Sequence, residues 1–332
     1  MIPGTVELSV IGVDIGGTTT EVVRIGADGG VQAHALLATR HGSSFVGGVR
    51  DAVRSVLPDD GITRIGVGVP GQVDPLTGTV SFAVNLGIDG SPVPLGQHLA
   101  ETFDATVIVE NDTRAAALGA WRTLAPDTSV LIYLGIGTGV AAGVVIDGRI
   151  HRGREGLAGE IGHVVVDPLG PACRCGQRGC LEALVSGSAI RTRWPAGGES
   201  AASHLFSAAA RGDVSAEGVV GEIVEHLTTA LTWLVVSYGA DVVVLGGGVG
   251  RVGDPLLTPL RVRLSDVASR SEVAGQLLGP ERVRCAPADR PLGAVGAAAV
   301  VGVTTWPLVE AAARVVALDT AVPDLDGYAQ DQ

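Results

Sequence analysis

Val10-Ile-Gly-Val-Asp14-Ile-Gly16-Gly17-Thr18-Thr19-Thr-Glu21-Val-Val-Arg-Ile25 runs from an apolar stretch through a glycine turn into a second apolar stretch, closed by Asp28-Gly29-Gly30. It reads as two strands joined at a glycine tip. The plan returns at Val130 to Leu134, Gly135-Ile-Gly137-Thr138-Gly139, Val140 to Ile146 and Asp147-Gly148, with Gly17-Thr18 aligning on Gly137-Thr138 at an offset of 120. Self-similarity of this kind predicts an internal duplication.

Working outward, a third glycine segment, Gly246-Gly247-Gly248-Val249-Gly250, follows the apolar strand Val242 to Leu245. Further strands are expected at Arg64 to Val69 and Thr106 to Glu110, and helices near 43–57, 112–121, 254–268 and 291–302. The longest helix is expected at 216–238, where Val219, Ile223, Leu227, Ala230, Leu231, Leu234 and Tyr238 keep helical spacing and Gly239 offers a C-cap. Mixed strands and helices around a repeat predict an α/β protein of two lobes. No long linker divides them, so hinges are expected near Asp112 and near 288–291. That division assigns 1–112 plus about 290–303 to a smaller lobe and 113–289 to a larger one. Residues 304–332 form a C-terminal extension, with a helix expected at Val309 to Val316 and a frayed tail from Asp319 to Gln332.

The 332 residues are 46% hydrophobic and 17% charged, enough to bury large cores. Acidic residues outnumber basic ones 35 to 23, a formal charge of −12, which argues against a nucleic-acid or anionic-membrane partner. No secretion signal or uninterrupted apolar run of about 18 residues is read, so a cytoplasmic protein is expected.

The chemistry concentrates between Glu160 and Glu182: Glu160-Ile-Gly-His163, Cys173-x-Cys175 and Cys180-Leu-Glu182. Three clustered thiols cannot pair off, and C-x-C spacing suits a disulfide poorly. His163, Cys173, Cys175 and Cys180 instead make a closed tetrahedral set for a structural Zn²⁺, in a loop of turns set by Pro168, Pro171 and glycines 170, 176 and 179. Zinc on one imidazole nitrogen of His163 would leave the other as a fixed N–H donor, and Glu160 and Glu182 would remain for a ligand. The fourth cysteine, Cys285, reads as a small core residue on a strand, and histidines 34, 41, 98, 151, 204 and 226 as surface residues.

Any one glycine turn alone fits an ordinary hairpin tip, but three at strand ends on a duplication favour a nucleotide cleft. Gly135-x-Gly137-x-Gly139 lacks the dinucleotide-binding spacing and leads into a strand, which argues against a dehydrogenase. Asp14 has Leu134 as its counterpart in the second copy, and a lone carboxylate beside one phosphate turn suits Mg²⁺. Glu110-Asn111-Asp112-Thr113 ends a strand and opens a helix, where a carboxylate can cap the helix and also accept a proton from a hydroxyl. Gly68-Val-Pro-Gly71 and Asn85-Leu-Gly87 are expected as pocket walls.

These motifs resemble the ROK family (repressors, open reading frames and kinases), sugar kinases of the actin and hexokinase superfamily, from about Val10 to Val303. The carriers are Asp14-Ile-Gly-Gly-Thr18, Gly68-Val-Pro-Gly71, Glu110-Asn-Asp112, Leu134-Gly-Ile-Gly-Thr-Gly139, Glu160-Ile-Gly-His163 and Cys173-Arg-Cys-Gly-Gln-Arg-Gly-Cys180-Leu-Glu182. The resemblance implies a two-lobed actin/hexokinase-like (ribonuclease H-like) α/β fold with a zinc-binding loop. It implies that Asp112 is the catalytic base and that Gly71, Asn85, Asn111, Asp112, Glu160, His163 and Glu182 surround a hexose. Asp14, Gly16, Gly17, Thr18, Thr19, Gly137, Thr138 and Gly139 would hold ATP phosphates with Mg²⁺, and Gly246, Gly247 and Gly248 would lie against adenosine. The expected reaction is phosphoryl transfer from ATP to the 6-hydroxyl of an aldohexose, glucose first, in a glycolytic homodimer or tetramer. An N-acetylhexosamine kinase is the alternative, and a sugar-sensing protein without catalysis a third reading. A repressor fits poorly, since only about nine residues precede the first strand. Two departures stand out: Thr19 replaces a lysine of many relatives, which leaves the phosphate donor open, and Asn85-Leu-Gly-Ile88 replaces the Asn-Leu-Pro-Gly-Trp-like loop of many glucokinases.

Overall fold

In the computed structural model, residues 9–58, 62–89, 91–195 and 200–302 are described; the helix and tail expected beyond 303 lie outside them. The strands are β1 (Val10–Ile15), β2 (Thr19–Ile25), β3 (Val31–Ala38), β4 (Arg64–Val69), β5 (Gln72–Asp74), β6 (Thr79–Ser81), β7 (Thr106–Asn111), β8 (Val130–Ile136), β9 (Val140–Ile146), β10 (Arg149–Ile150), β11 (Val242–Gly246) and β12 (Val283–Cys285). The helices are α1 (Phe45–Ser55), α2 (Leu95–Phe103), α3 (Asp112–Leu124), α4 (Leu181–Val185), α5 (Gly187–Arg193), α6 (Ala201–Ala210), α7 (Val214–Tyr238), α8 (Gly247–Gly250), α9 (Asp254–Arg270), α10 (Glu272–Leu277) and α11 (Leu292–Gly302).

The duplication is visible in the sheets. One has the order β3-β2-β1-β4-β7 and the other β10-β9-β8-β11-β12. In each, three strands pair antiparallel and two more add parallel to the first strand of the repeat. Parallel strands covered on both faces must be apolar throughout, and β4 and β11 are buried almost end to end. Ile11, Val13, Ile65 and Val67 pack with Phe45, Val49 and Leu99 in the first core. Ile132, Leu134, Val243 and Leu245 pack with α7 and α9 in the second.

α7 is long and apolar enough, by length and composition alone, to cross a membrane, but Ile223, Val224, Leu227, Leu231 and Leu234 line the second core, which accounts for that composition. It begins on an Asp213 cap, whose side chain accepts the Ala216 amide, and ends at left-handed Gly239, as expected. Helices α2, α4, α5 and α6 and the β5–β6 hairpin were not foreseen. They are short, and tertiary contacts hold them, so periodicity had little length to register in.

The helices α3 and α11 cross beside both sheets at backbone distance. A β-carbon on Gly119 would lie 1.9 Å from the Leu292 carbonyl oxygen, and one on Gly296 1.7 Å from that of Ala115. α3 also packs on β8 and β9, and α11 on β1 and β4, so the pair joins the two halves. Its first turn begins at Asp112, at the C-terminal end of β7.

Candidate active site

Register brings Asp14, Gly68 and Glu110 side by side at the carboxyl ends of β1, β4 and β7. Ligands of open α/β sheets bind beyond such ends. At the next step of the chain Asn111 caps α3: its Oδ1 accepts the amides of Thr113 (3.1 Å) and Arg114 (3.2 Å), while its Nδ2 donates to the Gly71 carbonyl (3.4 Å). The cap residue therefore also ties α3 to the Gly71 turn. Gly71, at φ 97°, turns the chain where a β-carbon would strike the Ser81 carbonyl, 2.6 Å away.

Asp112 follows. Its Oδ1 accepts the Thr113 amide at 2.7 Å and the Thr113 hydroxyl at 3.3 Å. Burial raises the Asp112 pKa above the usual carboxylate value, against the lowering by the Thr113 bonds, Arg114 and Asn111. Burial likewise raises Glu160, with His163 and Arg114 opposing and Glu182 and Asp112 adding. His163, Arg114, Glu182 and Asp112 thus all lie near enough to Glu160 to act on its charge. Glu182, on the first turn of α4, turns its Oε2 to the Val140 amide (3.0 Å), and a β-carbon on Gly139 would lie 2.5 Å from that oxygen. It thus links α4 to the second glycine turn.

The first glycine turn closes through the Gly16 amide on the Thr19 carbonyl (2.9 Å), with Thr39 bonded to Gly16 and Thr18 and His41 Nε2 on the Gly17 carbonyl (2.9 Å). Asn85 stands against this turn, its Cβ 3.8 Å from where a β-carbon of Gly17 would be. The third segment turns at the end of β11, as expected, and Gly247–Gly250 there forms the helical turn α8. Gly247 packs on Ile136 and Gly137 of the second turn, and Tyr133 fills the space a side chain on Gly246 would need. Burial, with Asp14 beside it, pushes the Tyr133 hydroxyl up to about 12. Burial, then Asp112 and Glu21, push Asp14 up to about 8, and only Arg251 opposes. A divalent cation at such a carboxylate would relieve that penalty, so the donor fits Mg²⁺.

The cysteine cluster also fits its metal. Nδ1 of His163 lies 3.8 Å from Cys173 Sγ, Cys175 Sγ lies 3.6 Å from Cys180 Sγ, and all four ligand atoms fall within 4.8 Å of one another. Zn–S bonds of about 2.3 Å and Zn–N bonds of about 2.0 Å in a tetrahedron require separations of about 3.5 to 3.8 Å. All four cysteines are free thiols, and the His163 nitrogen turned toward Cys173 is Nδ1, not Nε2. Gln177 donates to the His163 carbonyl at 3.0 Å and orients this segment.

The ROK family profile matches residues 10–303. The chain belongs to the ROK family. Among ROK relatives it is 33% identical to the glucokinase of Thermotoga maritima, over 89% of this chain and 98% of that protein. It is also 33% identical to an N-acetylmannosamine kinase of Vibrio cholerae, over 73% of this chain and 85% of the relative. A ROK glucokinase from Streptomyces griseus, solved with glucose and AMPPNP, superposes with a TM-score of 0.71 at 30% identity, covering 89% of this chain and 99% of that one. The two-sheet α/β fold of this chain is that of ROK glucokinases.

The surface reading holds for His34 and His41, which are exposed while bonding Glu21 and the Gly17 carbonyl; His204 and His226 are half-buried, and His204 accepts from Trp194 Nε1 at 2.9 Å. Sequence reasoning missed Tyr133, Arg251, Arg114 and Arg152. The internal repeat could have exposed the first: Tyr133 aligns on Val13, a large polar-tipped residue opposite a buried valine.

Proposed function

We propose that this ROK protein is an ATP-dependent hexokinase that transfers a phosphoryl group to the 6-hydroxyl of an aldohexose, with glucose the preferred sugar. The observation that supports the reading is Asp112: a carboxylate at the start of α3, its Oδ1 on Thr113, close enough to Asp14 and Glu160 to act on the charge of both. Asp112 takes the hydroxyl proton as the oxygen meets phosphorus, while Asn111, Glu160, His163, Glu182 and the Gly71 and Asn85 walls hold the sugar. Hydroxyls met by fixed polar partners allow rejection of a sugar lacking one. Asp14 and the amides of Gly16 to Thr19 and Gly137 to Gly139 align the phosphates, and Gly246 to Gly248 face the adenosine. Bound near Asp14, Mg²⁺ would neutralise phosphate charge. Zinc on His163, Cys173, Cys175 and Cys180 would hold the imidazole at a fixed angle. Alignment is most of the catalysis in such a site.

In this reading the lobes are 1–112 with about 290–303 and 113–289, and they close on the sugar to exclude water. Cytoplasmic placement suits an enzyme with reduced thiols and ATP as donor. The glucokinase relative is covered almost whole, which supports glucose; the N-acetylmannosamine kinase relative keeps an acetamido sugar as the second reading. ADP release measured across glucose, mannose, fructose, N-acetylglucosamine and N-acetylmannosamine decides between them. Asp112→Asn should keep glucose affinity and lower kcat by about 10²-fold or more; wild-type turnover in that variant would remove Asp112 from the chemistry.

A further inference from the structure

Glu110 enters the motif Glu-Asn-Asp as a strand-end residue, yet no other aspartate or glutamate among the described residues is so deeply buried. It is 1% exposed and gripped by two guanidinium groups. Arg114 Nε donates to Oε1 at 2.7 Å, Arg152 Nε donates to Oε2 at 2.6 Å, and the Asn111 amide also donates to Oε1 at 2.9 Å. Arg114, 4% exposed and one turn along α3, uses Nη1 on the Gly156 carbonyl at 2.6 Å. Glu110 closes an edge strand of the first sheet, whereas Arg152 follows the edge strand of the second. One carboxylate therefore joins β7, α3 and the loop from His151 to Gly159.

Both ends of this network abut the pocket. Asp112 is two residues from Glu110, and Glu160 is four residues past Gly156. The loop also reaches the β5 strand, since a β-carbon on Gly156 would lie 3.6 Å from the Val73 carbonyl. Stability alone explains the network poorly: burying three charges is costly, and apolar residues of similar volume often hold a core as well or better. With two cations to one anion, the network carries spare positive charge, and Arg114 acts on both Asp112 and Glu160 in the direction that favours their ionised forms.

We infer that Glu110, Arg114 and Arg152 are positioning residues, a buried clamp that sets the separation of Asp112 from Glu160 and with it the fit of the sugar between them. The inference rests on the kinase reading above. It requires guanidinium at Arg114, because one planar fork meets both Glu110 and Gly156; an ammonium is a single point of charge.

Arg152 keeps 20% exposure, so Arg152→Met retains the apolar stem with less risk to folding than a change at Arg114. Expected is a rise of about tenfold or more in the sugar KM, with the ATP KM within about twofold. Arg152→Lys should recover part of the loss. In the substrate-free protein, amides 153–160 should exchange hydrogen faster in Arg152→Met while the cores stay protected. Arg114→Lys should weaken sugar binding despite the retained charge. A folded Arg152→Met with wild-type sugar KM and wild-type exchange at 153–160 would overturn the clamp, and so would equal rises in both KM values with exchange increased throughout. If the wild-type protein phosphorylates no hexose, the kinase reading falls, and exchange at 153–160 decides whether the clamp holds the loop.

Discussion

Asp112 lies close enough to Asp14 to make its buried carboxyl harder to ionise. The consequence for Asp14 can be read from stability against pH. Its unfolded pKa is near 3.8 and its folded value about 8, so between these the folded chain binds the extra proton and stability falls as pH rises. Asp14→Asn removes that penalty. Thermal melts of metal-free protein should show the variant gaining on wild type from pH about 4 upward, with the largest gap at pH 8 and above; a gap independent of pH would contradict it. Turnover with ATP should be lost in the same variant, because the neutral amide no longer serves a phosphate-bound cation.

The element that a zinc ion on the proposed ligands would hold in shape is the loop from His163 to Glu182. It has little regular structure: a 3₁₀ turn at Ile161–His163, two isolated bridges (Val165 with Cys180, Ala172 with Arg178) and turns. Without an ion, burial holds the Cys180 thiol up at about 12, whereas Gln177 bonds draw Cys175 down to about 6. Cys175→Ser should lower zinc affinity by more than the roughly 10- to 100-fold that loss of an outer-shell partner costs. Competition with a chromogenic chelator measures this, and an unchanged zinc stoichiometry and affinity would refute the ligand set. Glu182 and His163 lie at the two ends of the loop, so sugar affinity should fall with the metal, whereas the glycine turns and ATP affinity should hold.

At the scale of the molecule, the crossing of α3 with α11 decides how the two sheets face each other. Its helices touch through backbone at Gly119 and Gly296, where no side chain can be inserted without separating them. Gly296→Ala should destabilise the protein by about 3 kcal/mol, at the upper end of overpacking costs, in urea unfolding. Because α3 begins at Asp112, kcat should fall further than the folded fraction alone accounts for. Wild-type stability in this variant would show that the helices can part freely.

The sequence by itself determined the strands around the glycine turns, the duplication at an offset of 120, the long α7 with its Gly239 cap and the grouping of His163 with three cysteines. Each is written in neighbouring residues: periodicity, turn chemistry and cysteine spacing act over a few positions. Asp14 against Leu134 was legible for the same reason, as a mismatch inside a repeat. Tertiary structure alone decided that Asn111 caps α3 while reaching Gly71, that Glu182 bonds the Val140 amide, and that Arg152 meets Glu110 across 42 positions. Those partners are chosen by the packing of two sheets on one helix pair, and no local pattern encodes a contact whose geometry exists only after both halves have folded.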